Sequence, residues 1–358
     1  MCKILVSHPI HSSIIEELHL EPIGNLYKQK FQLTEIDHHM LYHSIEHQEI
    51  LYIPGIAIAQ VPDEANDPTL IDLAKALAGF KPDVLIVGNN AVPEFAFGSW
   101  RDAIASERPL LVIRRGVDTR AIDKEAAQKY GISVGNLPGI NSPFVAAHMI
   151  EYLELEKAKI QDKIVVLGIG NIAQPIIYKA MEKQLKVQAI SPSLQEATRE
   201  KQVSRLQERG IDPDRLTCAE SLEEGFEDAS YVAVAVPWEH PKGGLNAGMI
   251  DVNLLEKLSN YAKIVSCSPP RIFSADALAF MNEQMKKGNI YVRIDTAKRL
   301  AQGTKAKYPY LDIAYDRAFA APECQRSLDR AWLKQAQQFC HQAAIQGFPL
   351  LCGTSHSL

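Results

Sequence analysis

Lys163-Ile164-Val165-Val166-Leu167-Gly168-Ile169-Gly170-Asn171-Ile172-Ala173 is the stretch whose reading decides the fold. An apolar, largely β-branched run forms a buried strand, and Gly-x-Gly-x-x-Ala carries it directly into a helix. The first glycine permits the tight turn, and the second lets main chain approach a pyrophosphate. The small Ala173 lets helix and strand pack closely. Phosphates at such a turn lie against free N–H groups at the helix start, where the helix dipole favours anions. On this reading Gly168, Gly170, Asn171 and Ile172 form a dinucleotide phosphate site.

Downstream of the turn the alternation continues. A helix is expected at 171–184, a strand at 186–191, a helix at 194–209 and a strand at 231–236. Then come a helix at 251–258, a strand at 262–266, a helix at 274–286 and a strand at 290–294. Upstream, strands are expected at 3–7, 84–88, 110–113 and 132–135, with helices near 11–20, 68–79 and 119–129. Asn141-Ser142-Pro143 supplies a cap and a first-turn proline for a helix over 141–157, and the tail from about 322 to 346 is helical. Alternation of this kind predicts an α/β protein with two doubly wound parallel sheets. The segment 21–66 reads as an irregular, polar elaboration. Its His39, His43 and His47 fit one helical face at i, i+4 and i+8, beside His38. They read as a solvated face, and no metal site is expected.

A chain of 358 residues has room for two domains. Hydrophobic residues at 46% and charged residues at 23% are ordinary globular proportions and argue against long disorder. A net charge of −5 without a basic block argues against a nucleic-acid partner. No apolar run is long enough to span a bilayer, so no membrane role is expected. The N-terminal Met1-Cys2-Lys3-Ile4-Leu5-Val6-Ser7 reads as a strand and not as a signal peptide. The six cysteines, at 2, 218, 267, 324, 340 and 352, have no zinc-ligand spacing and suggest no disulfide framework. A reduced, cytoplasmic protein is the expectation.

The strand after the glycine turn ends at Ala189-Ile190-Ser191-Pro192-Ser193. An acidic residue there would bind ribose hydroxyls and repel a 2′-phosphate. Ser191 stands in its place, with Ser193 beside it and Arg199 further on. The expected cofactor is therefore NAD(P), tilted towards NADP(H), although Arg199 serves equally well as a solvated helix residue. Asn89, Asn90 and Arg115 follow strands of the first half, in loops where ligands of open sheets gather, and are candidate substrate contacts.

Taken in order, these stretches resemble the D-isomer-specific 2-hydroxyacid dehydrogenases. The likeness runs through residues 3–7, Leu110-Leu111-Val112-Ile113-Arg114-Arg115-Gly116-Val117-Asp118, residues 131–142 and the glycine turn. It continues through Val234-Ala235-Val236-Pro237, Ser268-Pro269-Pro270-Arg271 and Ile294-Asp295. The resemblance implies a Rossmann dinucleotide domain over 141–321, inserted in a flavodoxin-like substrate domain of 1–140 plus 322–358. It adds Val236, Pro237, Ser268, Pro269 and Asp295 to the cofactor contacts, and puts Arg271 on the substrate carboxylate in a cleft. The implied activity is hydride transfer to or from a small carboxylate-bearing substrate. That substrate is a 2-oxo or 2-hydroxy acid, or a related imino or amino acid.

Two positions depart from the pattern. Pro322-Glu323 stands where the family has Pro-His, and Thr296-Ala297-Lys298-Arg299-Leu300 offers no carboxylate where the family has its glutamate. Glu323 is left with three readings: proton carrier, partner of a cationic or amine-bearing substrate, or structural carboxylate at a helix start. The missing pair also keeps open a dinucleotide-binding regulator or scaffold without turnover. A third route runs through an unaligned group such as His240 or one of Tyr308, Tyr310 and Tyr315. Between His148 and Gly168 the family's dimer-forming excursion is reduced to a short charged stretch, which leaves self-association to some other surface.

Overall fold

Cys2-Lys3-Ile4-Leu5-Val6 forms β1 (Cys2–Val6), the strand around which the first sheet is laid. In this computed structural model residues 2–23, 26–33, 40–45, 48–54, 67–104, 108–238, 243–296, 298–315, 317 and 319–346 are described. The chain divides into two units, Met1–Asn141 with Pro322–Leu358, and Ser142–Ala321.

In the first unit β1 is followed by β2 (Glu21–Pro22), β3 (Leu41–Ile45), β4 (Gln48–Tyr52), β5 (Val84–Val87), β6 (Leu111–Arg114) and β7 (Ser133–Asn136). Their spatial order is β2-β3-β4-β1-β5-β6-β7. The run β4-β1-β5-β6-β7 is parallel, which is the flavodoxin-like order, and β2 and β3 extend it antiparallel at one edge. The helices are α1 (Ser12–Glu17), α2 (Leu26–Phe31), α3 (Pro68–Phe80), α4 (Glu94–Ala103) and α5 (Lys124–Lys129). Asp67 caps α3 by accepting from Thr69 N at 2.7 Å, with Pro68 in the first turn. Leu5, Leu51, Leu85 and Val112 pack on Leu73, Phe97 and Trp100 in one core.

This unit corrects three sequence expectations. Residues 41–45 and 48–52 of the supposedly irregular segment form a hairpin, and β4 lies beside β1 with Ile50 opposite Ile4. Its polar opening, Gln48-Glu49, precedes buried Ile50, Leu51 and Tyr52. His43 accordingly sits in a strand and not on a helical face, with Nδ1 3.1 Å from the His19 carbonyl oxygen. His38, His39 and His47 lie outside the described residues. The cysteine reading is corrected as well: Cys2 and Cys340 form a disulfide, with Cα atoms 5.8 Å apart.

The second unit opens with α6 (Ser142–Leu153) and runs through β8 (Lys163–Leu167), α7 (Ala173–Glu182), β9 (Lys186–Ile190), α8 (Pro192–Gln195), α9 (Arg199–Glu208) and β10 (Leu216–Cys218). It continues with α10 (Leu222–Phe226), β11 (Tyr231–Val234), α11 (Val252–Leu255), β12 (Lys263–Ser266), α12 (Ala275–Lys287), β13 (Tyr291–Thr296), α13 (Lys298–Lys307) and β14 (Asp312–Tyr315). The sheet is parallel in the order β10-β9-β8-β11-β12-β13-β14, a Rossmann arrangement with one further strand. Alternation along β8 sends Val165 and Leu167 into one core and Ile164 and Val166 into another, so both faces are covered. The helix expected over 194–209 is broken, because Thr198 takes an extended conformation and starts α9 afresh. The chain then enters α14 (Pro322–Gln346), which belongs to the first unit. No helix among the described residues is long and apolar enough to cross a membrane.

Candidate functional site

The turn after β8 is stitched to its neighbours on both sides. Gly168 N donates to Ile190 O at 2.8 Å, and Ala235 N donates to Leu167 O at 3.0 Å. Gly168 has φ +99°, and a Cβ there would stand 2.7 Å from the Ala235 carbonyl oxygen, so only glycine fits. Gly170 is different: a Cβ there would meet no atom within 4 Å. Asn171 and Ile172 complete the turn, and Gln174 N donates to Gly170 O at 3.0 Å as α7 begins. No side chain caps α7, and Ala173 is fully buried against the sheet. Main chain is thus open to an approaching anion where the second glycine lies.

A cavity of about 710 Å³ lies beside this turn at the carboxyl ends of β8, β9 and β11. Of the residues anticipated for the cofactor, Gly168, Gly170, Ser191, Ser193, Val236 and Pro237 line it. Asn171, Ile172, Ser268, Pro269 and Asp295 are not part of its lining. Ser268 Oγ donates to Val236 O at 2.6 Å, tying the end of β12 to that of β11. Asp295, in β13, accepts from Arg317 N at 3.2 Å. The residues fit a dinucleotide: one glycine closes the turn, the other leaves main chain bare, and the cavity they border is also lined by Ser191 and Ser193.

Two arginines that the sequence reading passed over line the same cavity. Arg205, on α9, donates from Nη1 to the Ser193 carbonyl oxygen, while Ser191 Oγ and Ser193 Oγ lie 2.9 Å apart. Arg209, just past α9, is half-buried, and its guanidinium has no partner among the described residues. Arg199, the arginine singled out from sequence, does not line the cavity; it reaches Pro213 O at 3.4 Å and is exposed. The overlooked signal was the four-residue spacing of Arg205 and Arg209 at the end of a helical stretch, which would put both on one side of a continuous helix.

Arg271 sits in a short 3-10 turn, Pro270–Ile272, whose carbonyl accepts from Gly248 N at 2.9 Å. Its side chain is exposed, and its guanidinium has no partner among the described residues. His148, on α6, lies in the field of Asp295 and Arg293, and burial lowers its pKa. His240 lies outside the described residues.

In the first unit the candidate substrate residues have partners of their own. Arg115 Nε donates to Asp329 Oδ1 at 2.6 Å and Nη2 to Gln325 Oε1 at 2.7 Å, with Arg115 5% exposed and Asp329 fully buried. Asp329 also accepts from Trp332 Nε1 at 3.1 Å and from His11 N at 2.8 Å. Arg115 therefore braces β6 against α14. Asn89 accepts from Arg114 Nη2, and Asn90 Oδ1 accepts from Gly88 N at 3.0 Å. Glu323, in the first turn of α14, pairs with Arg326 at 3.1 Å and is 64% exposed. His8, which the sequence reading left out, is 4% exposed and neither ring nitrogen has a partner among the described residues. Burial, followed by the charges of Arg115 and Arg114, drives its pKa well below the ordinary histidine range.

Fold and turn together define a class: paired α/β units, the second carrying a dinucleotide-type glycine turn. Solved structures with this architecture include D-lactate dehydrogenase from Escherichia coli, at 12% identity over 97% of this chain and 98% of that one, with a TM-score of 0.62. D-2-hydroxyisocaproate dehydrogenase is similar at 15% identity over 95% and 97% of the two chains, with a TM-score of 0.62. NAD+-bound 3-phosphoglycerate dehydrogenase from Entamoeba histolytica follows at 16% identity over 97% and 96%, with a TM-score of 0.56. These likenesses are of fold. No family model and no curated protein matches the sequence.

Proposed function

We propose that this chain is a nicotinamide-dinucleotide-dependent oxidoreductase acting on a small carboxylate-bearing substrate, a 2-oxo or 2-hydroxy acid or a related imino or amino acid. The observation that carries the proposal is the bare main chain at Gly170 opening onto a cavity of about 710 Å³. A bound nicotinamide would supply or accept the hydride. The chain's own part is to hold the cofactor's phosphates at Gly168–Gly170 and to orient the substrate. Arg271 suits the second task, since an unpartnered guanidinium can grip a carboxylate through two parallel hydrogen bonds. Ser268 steadies the loop that carries it through its bond to Val236 O. The missing acid after β9 admits a 2′-phosphorylated cofactor. Arg115 and Asn89 are left out of the substrate set, because Arg115 is paired with Asp329 and Asn89 accepts from Arg114 within the first unit.

The proton carrier in this reading is Glu323, the carboxylate aligned with the family histidine. One observation favours a second reading, a dinucleotide-binding regulator without turnover: Glu323 is largely exposed and paired with Arg326, as a helix-start carboxylate would be. A panel of 2-oxo acids assayed with NADH and NADPH separates the two. Cofactor oxidation abolished by Arg271→Ala supports the enzyme, and a further loss with Glu323→Gln supports that proton route. Dinucleotide binding with no turnover on any member supports the regulator. Failure of both dinucleotides to bind or to raise the melting temperature ends both readings.

A further inference from the structure

We infer that the cavity beside the glycine turn contains a subsite for a phosphate monoester on the adenosine ribose, read by Arg205 and Arg209. The inference rests on the dinucleotide reading above and names which form of the cofactor the site takes. Ribose hydroxyls in this architecture lie at the end of the strand after the turn. That strand is β9, which ends in Ser191, a neutral hydroxyl paired with Ser193. No carboxylate stands at that position to repel a phosphate. Arg205 is held against the Ser193 carbonyl, which fixes one guanidinium at the rim where the ribose would lie.

Arg209 supplies the stronger argument. It lines the cavity, is half-buried, and its guanidinium has neither ion pair nor hydrogen bond among the described residues. A partly desolvated cation is costly unless something pairs with it. Glu196 also lines the cavity and is exposed, so the lining among the described residues carries two cations against one carboxylate. The balance remains positive, and Arg205 near the end of α9 and Arg209 just past it bring two guanidiniums to one cavity, where both could grip one phosphate.

The basic concavity at the opposite, starting ends of β8, β9 and β10 offers a contrast. There Lys163 donates to Glu224 O at 2.8 Å and Glu227 O at 2.7 Å, and Arg215 donates to Met181 O. Lys163 and Arg215 are engaged by main-chain carbonyls, as Arg205 is by Ser193 O, whereas Arg209 is not.

Calorimetric titration of the full chain with adenosine fragments tests the subsite without relying on turnover. The probes are 2′,5′-ADP, 3′,5′-ADP and 5′-AMP, with NADH as a check on the dinucleotide reading. The expected result is at least about tenfold tighter binding of 2′,5′-ADP than of 5′-AMP, the scale of one charge-assisted hydrogen bond. Arg209→Gln and Arg205→Gln should each weaken 2′,5′-ADP by roughly 10- to 100-fold while leaving 5′-AMP within about twofold. That retained 5′-AMP affinity also shows the variants are folded. Arg209→Lys, which keeps the charge but not the fork, should lose less than Arg209→Gln. Ser191→Asp should turn the preference towards the unphosphorylated ribose. Equal binding of 2′,5′-ADP and 5′-AMP, with NADH still bound, overturns the subsite and leaves the dinucleotide site standing. Equal binding of 2′,5′-ADP and 3′,5′-ADP overturns it too, as diffuse attraction. No binding by any probe overturns both.

Discussion

Alanine at the two glycines of the turn should separate packing from ligand binding. At position 168 the new methyl would stand 2.7 Å from a main-chain oxygen, Ala235 O, on a residue with φ +99°. Overpacking costs about 1–3 kcal/mol, and left-handed backbone about 1–2 kcal/mol for a residue with a Cβ. Gly168→Ala should therefore destabilise the second unit by roughly 2–5 kcal/mol, a fall in Tm on the order of 10 °C for a unit of this size. At position 170 the methyl meets nothing within 4 Å, and φ lies outside the left-handed region. Gly170→Ala should leave stability within about 0.5 kcal/mol. Its methyl instead takes the space through which a pyrophosphate reaches main chain. Losing one hydrogen bond to a charged group costs about 1.5–3 kcal/mol, so dinucleotide affinity should fall at least about tenfold. Melting curves without ligand, paired with titrations of NADH and NADPH, read both effects. A Gly170→Ala protein that binds as tightly as the unaltered chain would refute the phosphate reading. An unchanged Tm for Gly168→Ala would refute the steric one.

Three further outcomes are expected. Asp329→Ala strips Arg115, Trp332 and the His11 main chain of a shared acceptor, and should cost about 3–5 kcal/mol in urea unfolding followed by tryptophan fluorescence. Arg115→Met combined with Asp329→Leu should recover most of that loss, and a single-variant cost below about 1 kcal/mol would contradict the brace. His8 has its folded pKa depressed below the ordinary 6.5, so the unfolded chain binds its proton more readily; stability is complete above that pH and declines as pH falls towards the folded value. His8→Leu should flatten this acid limb in melting curves, and parallel pH profiles for variant and parent would clear His8 of any part in it. Peptide mapping under non-reducing conditions should join the segments of Cys2 and Cys340, with Cys218, Cys267 and Cys324 alkylated as free thiols after unfolding. Alkylation of Cys2 without prior reduction would rule the bridge out.

The sheet architecture could be read from sequence where strands are buried on both faces. β8 and β12 announce themselves because each face of a covered parallel sheet demands apolar residues, which leaves continuous runs such as Ile164 to Leu167. β3 went unread for the converse reason: Tyr42, His43 and Ser44 are half-buried or exposed and form no such run, while in β4 the apolar run Ile50-Leu51-Tyr52 follows the polar Gln48-Glu49. α4 was hidden by Gly98 in its middle, a position where a Cβ would come 3.2 Å from Tyr130 Oη. The bridge between Cys2 and Cys340 spans 338 residues, a separation for which no spacing rule exists.

The site divides in the same way. That Gly168, Gly170 and Ser191 border the cavity was legible because their placement follows from a local strand–turn–helix. Arg205 and Arg209 were not, because they reach the cavity only after α8 ends and Thr198 starts α9 in a new direction set by tertiary packing. A sequence shows that two arginines share a helical face but not which way that face is turned. Glu323 shows the limit of a motif comparison: it was expected at a catalytic position, yet its pairing with Arg326 within its own helix turn was not legible.

What separates fold from function in this chain is which buried or half-buried charges have partners. In the first unit Arg115, Asp329 and Gln325 satisfy one another, and Arg114 is held by Asn89 and by the Asp118 carbonyl at 2.9 Å. Charges so matched resist removal because breaking one strands another, and they have little left to offer a ligand. In the second unit the guanidiniums of Arg209 and Arg271 have no such partners among the described residues. A fold gains nothing from a half-buried cation left unmatched, which is the ground for the proposed anion at Arg209. An asymmetry follows: truncating Arg209 should leave the ligand-free melting temperature almost unchanged, whereas truncating Arg115 should lower it sharply.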